Sequence, residues 1–287
     1  MSKNSPQFLR LLWQRHNTLH ASELNEHAGA LIKTTLVDFP GRVACSFFLR
    51  GCNMRCPYCY NTGLVIGGDD DALSSVNELF MHLEKRRSVL SGLVISGGEP
   101  LANKHTLAII EHAKALGYKI KLDTNGTFPD KLESIIKNDK TRPDFIAMDI
   151  KTNPTRYGEL FAPCCKTRGK GKAQTHAATM PCNVPASHTI TSKHDYPALL
   201  ARSVQLIASL PGNAREWRTV LVPHFVKKDD IAAMAALLPK DASWQFAQFR
   251  NENCLDASYN DMSPYTDDQA AELVTYAKTL VEHAALR

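Results

Sequence analysis

Val43-Ala-Cys-Ser-Phe-Phe-Leu-Arg-Gly-Cys-Asn-Met-Arg-Cys-Pro-Tyr-Cys-Tyr60 decides how the rest of the chain is read. Its first seven residues form a run apolar at all but Ser46 and bounded by Gly41 and Gly51, the signature of a short buried strand. The strand delivers Cys52, Cys56 and Cys59 as a CxxxCxxC array in one loop. In α/β folds the end of a core strand is where chemistry collects. Three soft thiolates this close hold an iron–sulfur cluster or zinc, with plain buried cysteines as the bland alternative. Structural zinc wants a fourth protein ligand, usually from a second paired knuckle, and no second CxxC exists here. On a four-iron cluster, three thiolates leave one iron open to a substrate or cofactor.

Working outward, strands and helices alternate. Ser75-Val-Asn-Glu78 reads as a capping box, followed by Val76, Leu79, Phe80 and Leu83 at helical spacing. Leu93-Val-Ile-Ser96 is a strand ending in Gly97-Gly-Glu-Pro100, with a helix over about 103–116 that stops at Gly117. Tyr118–Leu122 is the next strand and ends in Asp123-Thr-Asn-Gly-Thr127. Phe145-Ile-Ala-Met148 ends in Asp149-Ile-Lys151. A stretch over about 153–195, rich in Gly, Pro, Thr, Ser and Lys, breaks the pattern and reads as an irregular insertion. Strands at Arg218–Val222 and Trp244–Phe249 follow, each with its helix, the last opening on the capping box Thr266-Asp-Asp-Gln269. Six strands, each feeding a helix, imply parallel pairing through right-handed crossovers. The fold expected is α/β, a partial (β/α)6 TIM-type barrel over residues 31–287. A helical extension, with a helix over 5–20, occupies residues 1–30.

The chain has 287 residues, 44% of them hydrophobic, enough for one large domain. No apolar run is long enough to span a bilayer, and the N-terminus lacks a secretory signal's apolar core. The net charge is +5. Part of it lies in Lys166-Thr-Arg-Gly-Lys-Gly-Lys172, read as a solvated loop; without interleaved aromatics it argues against nucleic-acid binding. Of eight cysteines, three sit at ligand spacing and the rest are scattered, which argues against a disulfide framework and for a reducing, cytoplasmic setting. Cys164, Cys165 and Cys182, with His176 and His188, match no ferredoxin spacing and read as spare residues of the insertion.

CxxxCxxC with Tyr58 before the last cysteine resembles the radical S-adenosylmethionine superfamily. The run Thr34-Thr-Leu-Val-Asp-Phe-Pro-Gly-Arg42 is similar to the glycyl-radical-enzyme activases, above all the anaerobic ribonucleoside-triphosphate reductase activating proteins, and less so the pyruvate formate-lyase activating enzymes. The resemblance implies that Cys52, Cys56 and Cys59 bind a [4Fe–4S] cluster. It implies reductive cleavage of S-adenosylmethionine to methionine and a 5′-deoxyadenosyl radical, and a radical SAM oxidoreductase whose substrate is a glycyl-radical enzyme. A flavodoxin or ferredoxin-type reductant is implied with it.

Cofactor contacts are expected where strands end. Gly97, Gly98 and Glu99 match the family's GGEP turn. Asp123 and Asn125 match DTNG, and Asp149 and Lys151 match an Asp-x-Lys pair whose lysine suits the cofactor's carboxylate. Tyr58 matches the aromatic position near the adenine. Tyr60 stands where these activases usually carry histidine. No histidine follows the last strand, where Gln248 or Arg250 is the substitute, and His224 reads as structural or solvent-facing. The alternatives are a radical enzyme acting on another peptide, an RNA or a small molecule, and a zinc-binding interaction protein.

Overall fold

The computed structural model describes residues 21–67, 72–161 and 195–287. The expected helix over 5–20, Gly68 to Asp71 of the expected turn, the basic run 166–172 and Cys164, Cys165 and Cys182 lie outside these residues.

One sheet carries nine strands. They are β1 (His27–Thr35), β2 (Ala44–Leu49), β3 (Ser74–Ser75), β4 (Gly92–Gly97), β5 (Lys119–Thr124), β6 (Phe145–Asp149), β7 (Arg215–Leu221), β8 (Ser243–Gln248) and β9 (His283–Leu286). Their order is β3-β1-β2-β4-β5-β6-β7-β8-β9. Six of them, β2 and β4 through β8, are the expected parallel strands, each feeding one helix. The helices of this alternation are α1 (Val76–Arg86), α2 (Thr106–Ala115), α3 (Pro129–Lys137), α4 (Tyr196–Ala208), α5 (Lys228–Ala235) and α6 (Asp267–Leu280), and short helices at Ala21–Leu24 and Thr62–Ile66 stand outside it. The sheet is not closed, so the architecture is a partial TIM-type barrel.

Three strands were not expected. β1 runs antiparallel to β2 and enters the sheet at His27, so residues on both sides of position 30 belong to it. Its burial is irregular, which erased the period-2 signal. β3 is two residues long, and β9 follows α6 so closely that helical periodicity masked it. Likewise, the stretch expected to be irregular from 153 begins with an ordered 3₁₀ segment, Pro154–Leu160. Its Tyr157 and Leu160 are fully buried.

The capping boxes form as read. The Ser75 hydroxyl accepts from the Glu78 N–H at 3.1 Å, and the Glu78 carboxylate accepts from the Ser75 N–H at 2.6 Å. Val76, Leu79, Phe80 and Leu83 then face the core, each worth about 1.5–3 kcal/mol of burial. Parallel register aligns the strand ends: Leu49 pairs with Gly97, Thr124 with Met148, and Asp149 with Arg218. The loops that leave those ends therefore share one rim.

Candidate active site

A cavity of about 440 Å³ opens among these strand ends. Cys52, Cys56, Tyr58, Cys59 and Tyr60 line it from the loop after β2, and Gly97 and Gly98 from the end of β4. Asp123 and Asn125 line it after β5, and Asp149 and Lys151 after β6. Gln248 and Arg250 complete the wall after β8. One expected contact does not line the cavity. Glu99 is fully buried behind the wall, and His224 also stays outside the lining.

The cysteine loop is held on two sides. The Arg55 N–H donates to the Leu160 carbonyl at 2.7 Å, and the Arg55 guanidinium to the Cys52 and Met54 carbonyls. Opposite, the N–H groups of Leu255 and Asp256 donate to the carbonyls of Cys59 and Pro57. Tyr58 is buried against Phe225 and Phe249, which makes the adjoining wall apolar. Tyr60 is 60% exposed at the rim. All three thiols are free, and so is Cys254, which is buried near Cys59 but does not line the cavity. Burial pushes the Cys52 thiol up to about 12 and the Cys56 thiol up to about 11, so metal uptake has to displace protons from both.

Glycine is required where the β4 turn meets this loop. Gly97 has φ +115, and a Cβ there would lie 2.4 Å from the Leu49 backbone. A Cβ on Gly98 would lie 2.0 Å from the Gly51 carbonyl oxygen. Backbone thus packs on backbone between the two loops, which only glycine permits.

Glu99 ties this turn to the next one. Its Oε1 accepts from the Leu101 N–H at 2.9 Å and the Thr124 hydroxyl at 2.8 Å, and its Oε2 from the Asn125 N–H at 2.7 Å. Burial nevertheless pushes its carboxyl up to about 7, the three donors offsetting only part of the desolvation. Its role here is support of the cavity wall. Glu99→Gln turns one acceptor into a donor facing a donor. It is expected to cost about 1–3 kcal/mol, read as a lower denaturant midpoint at unchanged m-value.

Sequence reasoning missed Arg218, which lies inside β7 and was read only as a strand residue. Its Nε donates to Asp149 at 2.8 Å and its Nη1 to Asp123 at 3.1 Å. Lys121 meets Asp123 at 2.8 Å and Lys151 meets Asp149 at 3.2 Å. Five charges of alternating sign therefore cross the barrel interior. Burial raises the Asp149 carboxyl, but Arg218 and then Lys151 outweigh it and bring it down to about 2. Asp123 is lowered in the same way, Arg218 and then Lys121 overcoming burial. A depressed acid stabilises the fold above its unfolded value, near 4, and loses that contribution as pH falls through its folded value. Urea unfolding between pH 4 and 2 should show stability dropping, and Asp149→Asn should flatten that drop.

A parallel partial barrel with a three-cysteine loop on its first parallel strand and a glycine turn beside it defines a class of iron–sulfur enzyme. Residues 46–173, the stretch that carries the cysteine loop, match the family description "Radical SAM superfamily". It is 25% identical over 260 residues to a Methanocaldococcus jannaschii protein described as a glycyl-radical enzyme activating enzyme, covering 90% of this chain and 94% of that one. It is 40% identical over 81 residues to the 7-carboxy-7-deazaguanine synthase of Aquifex aeolicus, covering 28% of this chain and 34% of that one. A solved structure of TYW1 with a lysine–pyruvate adduct bound shares the fold at a TM-score of 0.52 and 11% identity, over 96% of this chain and 89% of that one.

The family implies a [4Fe–4S] cluster and S-adenosylmethionine. The donor set fits. Among the described residues no three His, Cys, Asp or Glu side chains gather closely enough for a single metal ion. Cys52, Cys56 and Cys59 all line the cavity, and three thiolates suit a cluster that spreads its ligands over separate irons. No helix of the described residues is long and apolar enough to cross a membrane.

Proposed function

We propose that this protein is an activating enzyme that installs a glycyl radical on a partner protein, the anaerobic ribonucleotide reductase type being the first candidate. The observation that carries the reading is the reach of the likeness. The M. jannaschii activating enzyme aligns along 90% of this chain, whereas the deazaguanine synthase shares 28% of it.

In this reading Cys52, Cys56 and Cys59 hold the cluster. Bound together, the cluster and S-adenosylmethionine supply one-electron reductive cleavage of the sulfonium. The chain's own groups bind and orient. Lys151 presents an ammonium to the cavity beside Asp149, suited to the carboxylate of a methionine moiety. The Gly97–Gly98 backbone leaves room for close approach by its amino group. Arg218 keeps Asp123 and Asp149 ionised and fixed. The apolar packing around Tyr58 excludes water from the cysteine side, where a reactive radical needs protection. Electrons come from a flavodoxin or ferredoxin-type donor.

The test is anaerobic reconstitution with iron and sulfide, reduction, and assay for 5′-deoxyadenosine with and without a glycyl-radical partner. The expected result is deoxyadenosine together with a glycyl-radical signal on the partner in electron paramagnetic resonance. Deoxyadenosine that forms only with a small molecule would overturn this reading in favour of a synthase-like activity, to which the matching 81-residue segment points.

A further inference from the structure

Three polar side chains from two loops close a ring at the edge of the cavity. Asn53 sits between Cys52 and Cys56 in the cysteine loop, and Asn125 and Thr127 sit in the turn after β5. The directions of all three bonds follow from one backbone group. The Thr127 N–H donates to Asn125 Oδ1 at 3.0 Å, so that oxygen faces Thr127 and the amide nitrogen faces away. Asn125 Nδ2 then donates to Asn53 Oδ1 at 2.9 Å. Asn53 is left with its nitrogen toward Thr127 and donates to Oγ1 at 2.8 Å. The Thr127 hydroxyl, having accepted there, donates onward to Asn125 Oδ1 at 2.6 Å. Each member donates and accepts around the ring, an arrangement in which buried bonds strengthen one another.

The ring's position gives it a consequence. Asn125 and Thr127 are each 4% exposed, and Asn125 lines the cavity together with Cys52. Through the Asn125 N–H the ring continues to Glu99, and so to the Gly97–Gly98 turn. The cysteine loop, the glycine turn and the β5 turn are thereby joined in one network. The side chain of Asn125 is engaged in it: its oxygen takes two bonds and its nitrogen gives one of its two N–H groups.

We infer that Asn53 and Thr127 are positioning residues, which with Asn125 lock the cysteine loop to the β5 turn and so set the affinity for S-adenosylmethionine. The inference rests on the radical SAM class and not on the identity of the substrate. Removing one partner leaves buried amide or hydroxyl groups unpaired, a loss large enough to shift an affinity about tenfold.

The test uses Asn53→Ala, Thr127→Val and Thr127→Ser in the full chain, purified without oxygen. After reconstitution, iron and sulfide content should match the wild type in all three. The dissociation constant for S-adenosylmethionine, by equilibrium dialysis, should rise about tenfold in N53A and T127V and stay within about twofold in T127S, which keeps the hydroxyl. In the cluster-free protein, amide exchange over residues 52–59 should quicken in T127V and not in T127S. The double variant N53A/T127V should lose no more affinity than either single change, because one circuit is broken in both. Wild-type affinity in N53A and T127V, additive losses, or lowered iron content that accounts for the affinity change would each overturn the inference.

Discussion

Cys56→Ala, prepared and assayed without oxygen, is expected to lose reductive cleavage of S-adenosylmethionine by three orders of magnitude or more, on the order of what removing one member of a catalytic unit costs. As the proposed cluster ligands the thiols would act as a unit, and two of them would be too few to hold the cluster beside the Gly97–Gly98 turn. Cys56 is the most buried of the three, and its alanine removes a sulfur from a wall that contains no substitute. Cys254 is the one other described thiol close to the loop, and it does not line the cavity. Iron content, the brown absorption of the reconstituted protein and deoxyadenosine yield should fall together, while the thermal midpoint of the cluster-free protein stays within a few degrees. Full activity in C56A would remove the basis for assigning the loop to the cluster.

Arg218→Met should carry the largest cost in stability. It strips the shared cation from Asp123 and Asp149, both of which line the cavity. Breaking a buried pair by removing one partner costs about 3–5 kcal/mol. The low end applies here, because Lys121 and Lys151 still face the two carboxylates. A chain of this size then loses roughly 6–12 °C of melting temperature. Arg218→Lys should rescue poorly, because one ammonium cannot bridge two carboxylates as the planar fork does. Adding Asp149→Asn to R218M should recover part of the loss by removing one uncompensated charge. An unchanged midpoint in R218M would show that the alternating charges contribute nothing net.

The elements legible beforehand were those with a local signal. β2 is an apolar run interrupted only by Ser46, and the Ser75 and Thr266 caps announce α1 and α6. The three cysteines and most of the strand-end polar residues could be placed at the cavity because parallel strands present their C-terminal ends on one rim. What escaped had no local signature. β1 pairs antiparallel at the sheet edge with an irregular burial pattern, and β9 is four residues long. Arg218 looked like any strand residue, since its partners lie 69 and 95 positions away. Glu99 was expected to orient its loop or accept a bond, and its carboxylate accepts from Leu101, Thr124 and Asn125. Asn125 lines the cavity, and its side chain also bonds the cysteine loop, a contact that no local signal announced.

The order of residues alone determined the alternating α/β plan and the three cysteines at ligand spacing in one loop, because helix periodicity, strand composition and ligand spacing are properties of short segments. Tertiary structure alone decided which polar groups meet the cavity and which brace it. That choice depends on distances between residues dozens of positions apart, which only the closed network of backbone and side-chain hydrogen bonds brings within reach.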